Sequence, residues 1–401
     1  MNKITFCIPS KSNVRYLKTC IPSIRNNAYR DDHEIIVFVD SDEDGTVEWL
    51  EQVKDEYNLS YYVNPKLGEE LYGIGRAYDF CIEKSTTEVF MIFHADMILG
   101  KNADFEAYKY LKEKTVVCAT RIEPPLHPNN GEKVLQDFGM YPEEFKEDEF
   151  HQYIKDRVEQ FDTVPTTEGI FAPWMMYKKE YLEILGGHDP ILHSCREDSD
   201  VFNRMLLSGF EFIQTWEGFV YHFTGRGAGS FDGDEQRHKF WQDQMNNSTR
   251  DFIRKWGQNV NHTPMMKPLV YPKYNIGFVI RNCNNQLLEA LEPWCSTVYT
   301  DCNIEEASDY IAEEQMKSSF NLIERIQSYN NEKNNKILIE IDGKNFSDGD
   351  FHYIQHLPEI IQDSGEIGEF ELGNLKIQIN DLTTYENELV KYERKTKKVS
   401  V

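Results

Sequence analysis

Acidic residues gather where one helix is predicted to begin. The segment 196–200 (REDSD) precedes apolar residues at helical spacing in 201–206. A carboxylate at a helix start is stabilised by the helix dipole, so a structural cap is one interpretation. Asp96 follows one apolar run, and His222 lies in another. These features together suit metal-assisted group transfer: an acid after one strand, a histidine at the end of another, and an acidic helix start.

The elements that must position these residues alternate along residues 1–100. Buried strands are predicted at 4–8, 34–39, 59–63 and 88–93, and helices at 14–27, 46–57 and 73–84. Alternation with short connections predicts an α/β domain with a mostly parallel sheet and helices on both faces. Ligands bind at the carboxyl ends of such strands, where Ser10, Asp40 and Asp96 stand.

Composition limits the class of protein. A chain of 401 residues is long enough for two domains, and 40% hydrophobic residues can form a packed core. The net charge of −25 disfavours binding of nucleic acid over a broad surface, with the locally basic tail 391–398 as the exception.

Cysteine usage and hydropathy predict the compartment. The 8 cysteines include no CxxC pair, which favours a reducing setting. Apolar runs stay well below the roughly 18 residues of a membrane span, and the first residues do not read as a signal peptide. We therefore expect a soluble, cytoplasmic protein without a transmembrane segment.

The domain organisation is predicted from where the alternation stops and restarts. Prolines and acids interrupt the pattern between 121 and 167, which indicates a covering insertion. After prolines 264, 268 and 272 a second alternation begins, with a long helix predicted at 308–329. We predict a transferase-type domain over 1–265 and a small α/β accessory domain with a basic tail over 270–401. The accessory domain shows no catalytic constellation, so pairing protomers into a homo-oligomer or presenting an acceptor is its expected role.

Several short motifs occur in a specific order. They are FCIPSK (6–11), VFVDSDEDGT (37–46), GIGRA (73–77), HAD (94–96), EG through GGHD (168–189) and ED (197–198). In that order they resemble the family 2 glycosyltransferases over about residues 1–225. The resemblance implies a GT-A-type, Rossmann-like fold and a nucleotide-diphosphate sugar as donor.

The resemblance also implies residues for the donor site. We expect it to contain Pro9, Ser10, Asp40, Asp42, Gly75, Arg76, Ala95, Asp96 and Arg226. Asp40 stands where the family contacts the nucleotide base, and Arg76 stands beside the donor pyrophosphate. Arg226 lies in the glycine-rich loop 224–230, which is flexible enough to close over phosphates.

The metal site departs from the family pattern, because His94 replaces the first acid of the DxD motif. Some families of this fold use a histidine after the last core strand as a metal ligand, which implies His222 beside Asp96. Histidine nitrogen suits manganese, whereas magnesium prefers oxygen. The expected cofactor is Mn²⁺ or Mg²⁺. A hydrogen-bonded structural histidine is the other interpretation of both His94 and His222.

An acceptor hydroxyl has a high pKa, so a carboxylate must take its proton during attack. The ED match assigns that role to Asp198, with Glu197 orienting the acceptor or the base. One base without a second nucleophile favours inversion at the anomeric carbon. On the acceptor side we expect Glu168 and Trp174, whose ring offers a stacking platform for a sugar. The alternative interpretation, that Trp174 is a buried core residue, has equal weight.

The sequence thus predicts a metal-dependent, inverting hexosyl- or pentosyltransferase, with a UDP-sugar as the first choice of donor and a glycan or another biopolymer hydroxyl as acceptor. A phage-type enzyme acting on hydroxymethylated DNA bases and a nucleotide-sugar- or carbohydrate-binding protein without turnover remain as alternatives. A sugar-phosphate nucleotidyltransferase is disfavoured, because 10–13 (SKSN) lacks a glycine-rich phosphate loop. Abundant Asn, Lys, Ile and Glu favour a bacterial or phage source.

Overall fold

The computed structural model describes residues 1–225 and 235–393. Two compact units divide the chain. The first comprises Met1–Asp243, His262–Pro268 and the segment from Lys391, and the second comprises Gln244–Asn261 and Leu269–Val390. A compact unit need not fold by itself. The predicted division into domains 1–265 and 270–401 therefore stays a prediction.

The first unit is built on a nine-stranded sheet, counted over the described residues. Its strands are β1 (Thr5–Lys11), β2 (Glu34–Ser41), β3 (Leu59–Val63), β4 (Val89–Ile92), β5 (Met97–Leu99), β6 (Thr115–Glu123), β7 (Val134–Leu135), β8 (Trp174–Tyr177) and β9 (Glu211–His222). The order is β3-β2-β1-β4-β8-β6-β9-β5, with β7 beside β6. Strands β1 to β4 pair in parallel, as do β6 and β9, whereas β8 and β5 are antiparallel to their neighbours.

Helices connect these strands. They are α1 (Val14–Asn27), α2 (Thr46–Val53), α3 (Ile74–Lys84), α4 (Ala103–Tyr108), α5 (Glu147–Gln160), α6 (Lys178–Glu180), which continues as a π-helical turn (Tyr181–Leu185), and α7 (Glu197–Leu207). Helix α8 (Glu235–Trp256) follows β9, and its residues from Gln244 belong to the second unit. One 3₁₀ turn (Pro142–Glu144) lies before α5. The α/β class and the mostly parallel sheet are therefore confirmed.

The core of the first unit forms because the strands are apolar on both faces. Phe6, Ile8, Val37 and Met91 are fully buried. Burial on both faces is typical of a parallel sheet covered by helices. The carboxyl ends of β1, β2 and β4 are left at one edge, where the chemistry-bearing loops begin.

Within the described part of the chain, the second unit contains a six-stranded sheet of order β12-β11-β10-β13-β15-β14. Its strands are β10 (Ile276–Arg281), β11 (Thr297–Thr300), β12 (Ile326–Ser328), β13 (Ile337–Asp342), β14 (Gly368–Leu372) and β15 (Leu375–Ile379). Its helices are α9 (Asn285–Leu291), α10 (Ile304–Gln315), α11 (Leu322–Arg325), α12 (Asp348–Gln355) and α13 (Leu357–Ser364), with 3₁₀ turns at Glu292–Trp294 and Glu386–Leu389. The predicted small α/β module thus has its own sheet.

The long helix predicted at 308–329 is wrong. Helix α10 ends at Gln315, whose side-chain Nε2 donates to the carbonyl oxygens of Ser318 (3.0 Å) and Phe320 (2.8 Å). Its Oε1 accepts from the Leu322 backbone at 3.0 Å. These side-chain bonds replace the helical ladder, and 326–328 pairs with β11 instead.

Over residues 1–225 and 235–393, every helix is too short or too polar to span a bilayer.

Candidate active site

Three side chains converge where β4, β5 and β9 meet. His94 and Asp96 lie in the short turn between β4 and β5, and His222 is the last residue of β9. The antiparallel register pairs His222 with Met97, and the Phe223 backbone donates to the Asp96 carbonyl at 3.1 Å. One nitrogen or carboxylate oxygen from each of His94, Asp96 and His222 lies within 4.8 Å of the others. The sheet register therefore brings together the three predicted metal ligands.

A second layer of charges orients His222. Its Nδ1 lies 2.8 Å from Glu123 Oε1, and its Nε2 lies 3.5 Å from Asp96 Oδ1. Glu123 also accepts from Arg121 and from Lys133, each at 2.9 Å. Glu123 therefore holds Nδ1 of His222, and Nε2 faces Asp96, the orientation in which a metal-ligating histidine binds through its other ring nitrogen.

The electrostatics of this cluster are strongly perturbed. Burial opposes the charged form of His222, but Asp96 and Glu123 outweigh it and raise the pKa of His222 to about 9. Burial and the charge of His222 lower the pKa of His94 to about 4. Burial also opposes ionisation of Asp96, yet His222 holds the pKa of that carboxyl below its usual range. Such opposed shifts within one cluster are typical of functional sites.

The sequence did not identify Arg121, Glu123 and Lys133. Glu123 ends β6 and is 1% exposed. The one signal that could have found it is its position at a strand end. Its partner histidine is 99 residues away in sequence, so spacing could not show the pair.

The acidic start of α7 has two different carboxyl groups. Asp198 Oδ1 accepts from the Ser199 backbone at 2.6 Å and from its hydroxyl at 3.2 Å. Glu197 Oε2 is buried and has no hydrogen-bond partner among the described residues. Burial, reinforced by the charge of Asp198, raises the pKa of Glu197 to about 8. Glu197 therefore keeps its proton to a higher pH than a free carboxyl does, and in that form it can donate a hydrogen bond.

The third acid of this helix has a structural role. Asp200 accepts from Arg204 at 2.8 Å, and Arg204 donates to the Leu185 carbonyl at 2.8 Å. Both side chains are fully buried. This pair anchors α7 to the turn that follows Leu185.

The chain enters α7 through strained backbone. Cys195 (φ 71°) and Arg196 (φ 66°) both adopt the left-handed conformation. Residues with a Cβ pay roughly 1–2 kcal/mol for this conformation, and such strain concentrates at functional sites. The entry therefore fixes the direction in which Glu197 and Asp198 leave the preceding loop.

Asp40 and Asp42 hold the loops at the carboxyl end of β2. Both oxygens of Asp40 accept backbone hydrogen bonds, from Tyr72 at 2.5 Å and from Gly73 at 3.0 Å. Asp42 accepts from the Val47 backbone at 3.3 Å. Asp40 thus fixes the entry into α3, and its predicted contact with a nucleotide base stays a prediction.

The predicted donor residues of β1 and of the turn after β4 are placed at the same edge. Ser10 is 2% exposed, and its Oγ has no hydrogen-bond partner within the described ranges. Pro9 is half-buried in β1. Ala95 is 4% exposed between His94 and Asp96.

Gly75 and Arg76 lie at the start of α3. A Cβ on Gly75 would stand 2.9 Å from the His188 Cβ, so the close approach of His188 requires glycine here. The Arg76 guanidinium lies 4.0 Å from the centre of the Tyr72 ring, in a cleft also lined by His188. The structure does not bring Arg76 to the His94–Asp96–His222 cluster, and its role at the pyrophosphate stays a prediction.

His188 is part of a buried hydrogen-bonded cluster. Its Nδ1 lies 2.9 Å from Asp79 Oδ1, and the Tyr181 hydroxyl donates to the same oxygen at 2.6 Å. The His188 backbone also donates to Asp79. This cluster ties the turn after Gly187 to α3.

The acceptor-side residues are placed differently from one another. Trp174 is 2% exposed, with its ring packed edge-on against Phe90 and Phe202. This packing is that of a core tryptophan, the second of the two interpretations given for Trp174. Glu168 is exposed. Arg226 lies outside the described residues.

Comparison with known proteins gives a family. Residues 5–185 match the model described as glycosyl transferase family 2. Similar solved structures include GalNAc-T7 with UDP, GalNAc and Mn²⁺, with 12% identity and a TM-score of 0.44 over 63% of this chain and 48% of that chain. The chain therefore spans about half the length of that protein. S. aureus TarS 1–349 has 13% identity and a TM-score of 0.44 over 95% of this chain and 97% of that chain. No curated protein matches in sequence.

The family match confirms the resemblance given by the motifs. The matched residues 5–185 include β1 to β8 and two of the three clustered side chains, His94 and Asp96. His222 and the start of α7 lie beyond the matched residues.

Proposed function

We propose that this protein is a metal-dependent, inverting glycosyltransferase that moves a sugar from a nucleotide-diphosphate sugar, with a UDP-sugar as first choice, to a hydroxyl of a glycan or another biopolymer. The observation that supports it best is the His94–Asp96–His222 cluster at the carboxyl edge of a family 2 domain. The cluster packs a half-buried histidine, His94, against a buried carboxylate and a buried histidine, and such an arrangement is typical of functional sites.

The residues of the cluster fit a divalent cation. Two imidazole nitrogens and one carboxylate oxygen form a donor set that manganese accepts more readily than magnesium. Glu123 supplies the hydrogen bond that orients His222. When bound, the cation would offset the negative charge that develops on the leaving diphosphate.

Two carboxyl groups of α7 have different proposed roles in the transfer. Asp198 takes the proton of the attacking hydroxyl, and the protonated Glu197 donates a hydrogen bond to a substrate oxygen. A site with one base leads to inversion. The predicted donor contacts of Pro9, Ser10, Asp40, Asp42, Gly75, Arg76, Ala95 and Arg226 are part of the proposal, as is an acceptor contact of Glu168.

The proposed partners follow from charge and architecture. A net charge of −25 disfavours hydroxymethylated DNA as the acceptor, so a glycan is preferred. The second unit is proposed to present the acceptor or to pair protomers. A cytoplasmic location stays part of the proposal.

The test is hydrolysis of a panel of UDP- and GDP-sugars by the full chain, with Mn²⁺, with Mg²⁺ and with excess chelator. We expect one donor to be hydrolysed, faster with Mn²⁺, and the rate to fall to background with chelator. His222→Gln should abolish the metal response, whereas the matched control His151→Gln on α5 should retain it. Nucleotide-sugar binding without hydrolysis would favour the alternative without turnover, and full activity in chelator would remove the metal from the proposal.

A further inference from the structure

Three buried polar atoms near the carboxyl edge of the first unit have no hydrogen-bond partner within residues 1–225 and 235–393. They are Ser10 Oγ, Tyr78 Oη and Glu197 Oε2. Buried polar groups are nearly always paired in folded proteins, because leaving one unpaired is costly. These three atoms are on β1, α3 and α7, and a polar ligand bound among these elements would supply the missing partners.

Tyr78 is the member of this set that no motif identified. It lies in the first turns of α3 and is 4% exposed, with its ring stacked on His188 at 6.0 Å. Helix α3 packs against β1 and against α7, the elements that carry Ser10 and Glu197. The tyrosine therefore lies between the strand edge and the acidic helix start.

The electrostatic surroundings agree with this position. Burial raises the pKa of the Tyr78 phenol, and the charges of Glu197 and Asp96 raise it further. The phenol thus stays protonated. Its pKa responds to charges at two places, Asp96 in the His94–Asp96–His222 cluster and Glu197 at the start of α7. A protonated phenol in this place can donate a hydrogen bond.

The proposed function defines what lies between the His94–Asp96–His222 cluster and the start of α7. Asp96 belongs to the cluster that holds the diphosphate side of the donor, and α7 carries the base that meets the acceptor hydroxyl. The transferred sugar must lie between the leaving diphosphate and the attacking hydroxyl, because the anomeric carbon bonds to each in turn.

We infer that Tyr78 is a substrate-binding residue whose hydroxyl donates a hydrogen bond to an oxygen of the transferred sugar. This inference rests on the proposed function. Tyr78 contacts the sugar and not the nucleotide, which sets it apart from the donor residues that the family resemblance implied. Protonated Glu197 is the neighbouring donor for the same sugar.

The test compares Tyr78→Phe with wild type in the presence of Mn²⁺. The two ligands are the nucleotide sugar that wild type hydrolyses fastest in the panel above and its free nucleoside diphosphate. We expect calorimetry to show the variant binding the nucleotide sugar about threefold to tenfold more weakly, with affinity for the free diphosphate unchanged. The melting temperature of the ligand-free variant should equal or exceed that of wild type, because the unpaired hydroxyl is removed.

Tyr181→Phe is the matched control, because the Tyr181 hydroxyl donates to Asp79 at 2.6 Å. Its loss should lower the melting temperature, which shows that the measurement detects a paired buried hydroxyl. Equal affinities of Tyr78→Phe and wild type for the nucleotide sugar, or an equal loss for sugar and free diphosphate, would overturn the inference while leaving the proposed function standing. If wild type binds and hydrolyses no nucleotide sugar, the proposed function fails first and the inference falls with it.

Discussion

His222 Nδ1 lies 2.8 Å from Glu123 Oε1, although 99 residues separate the two in sequence. Strand β6 carries Glu123 at its end and pairs in parallel with β9, which ends in His222. Arg121 and Lys133 neutralise Glu123 from the other side. The contact orients the imidazole, and the strand pairing that creates it is also part of the core.

The first prediction concerns Glu123→Gln. The change keeps the shape but removes the charge that orients His222, so Mn²⁺ affinity should fall about 10- to 100-fold. Arg121 and Lys133 would lose their buried partner, at a cost of about 3–5 kcal/mol in unfolding free energy. Metal titration by calorimetry and urea unfolding measure the two effects.

The pH dependence of this stability has a definite sign. Burial opposes ionisation of Glu123, but Arg121, His222 and Lys133 outweigh it and hold the pKa of the carboxyl below its usual range. Its stabilisation is therefore present above about pH 4.5 and is lost as the pH falls below that value. The control Glu217→Gln, at the half-buried pair with Lys109, should change stability little and metal affinity not at all. Unchanged metal affinity in Glu123→Gln would contradict the orienting role.

The second prediction concerns Asp198→Asn. The amide keeps the hydrogen-bonding shape but cannot accept the proton, so transfer should slow by about 100- to 10,000-fold while donor affinity stays within a factor of about two. Steady-state rates and calorimetric donor binding separate the two effects. Asp156→Asn is the control, since that carboxylate lies on α5 and accepts from Gln152 at 2.7 Å. Near-normal transfer by Asp198→Asn would assign the base to another residue.

The third prediction concerns Glu197→Gln and pH. Burial and Asp198 raise the pKa of Glu197 to about 8, above the usual carboxyl value of 4.5. The folded protein therefore holds a proton that the unfolded chain releases, so wild-type stability should decline as the pH rises from about 4.5 to 8. At about 1.4 kcal/mol per pKa unit, the full loss over this range is on the order of 5 kcal/mol. Glutamine cannot ionise, so the variant should lack this decline.

Urea unfolding at pH 5.5 and pH 8.5 tests the third prediction. The difference in unfolding free energy between the two pH values should be smaller in Glu197→Gln than in wild type. Asp198→Asn serves as the control, because it retains the Glu197 carboxyl and should retain part of the decline. Parallel pH profiles of wild type and Glu197→Gln would show that Glu197 is ionised in the folded protein at neutral pH.

Local patterns in the sequence predicted the fold of the first unit, because strand ends are visible in a single chain. Together with the family resemblance they also named the three side chains that the structure places together. His94, Asp96 and His222 all stand at such ends. The partners of His222 were missed, since strand pairing between β6 and β9 depends on contacts distant in sequence. The helix predicted at 308–329 failed for a local reason, because the Gln315 side chain competes with the backbone ladder. Helical periodicity does not reveal such competition.

The last prediction concerns Gly186, which has φ 75°. A Cβ added there would stand 2.0 Å from the Tyr392 carbonyl oxygen, and the Tyr392 backbone donates to the Leu185 carbonyl at 2.9 Å. Gly186→Ala should therefore lose about 1–2 kcal/mol through its left-handed backbone and a further amount through displacement of Tyr392. Because the turn leads directly to His188, which binds Asp79 of α3, donor affinity should fall as well.

Gly209→Ala is the matched control, because Gly209 has the same φ of 75° and no atom within 4 Å of an added Cβ. The difference in unfolding free energy between the two variants isolates the contact with Tyr392. Removing residues 391–401 should make the two substitutions cost the same, since the atom that Gly186 makes room for is then gone. If Gly186→Ala already costs no more than Gly209→Ala in the full chain, the segment around Tyr392 does not hold this turn in solution.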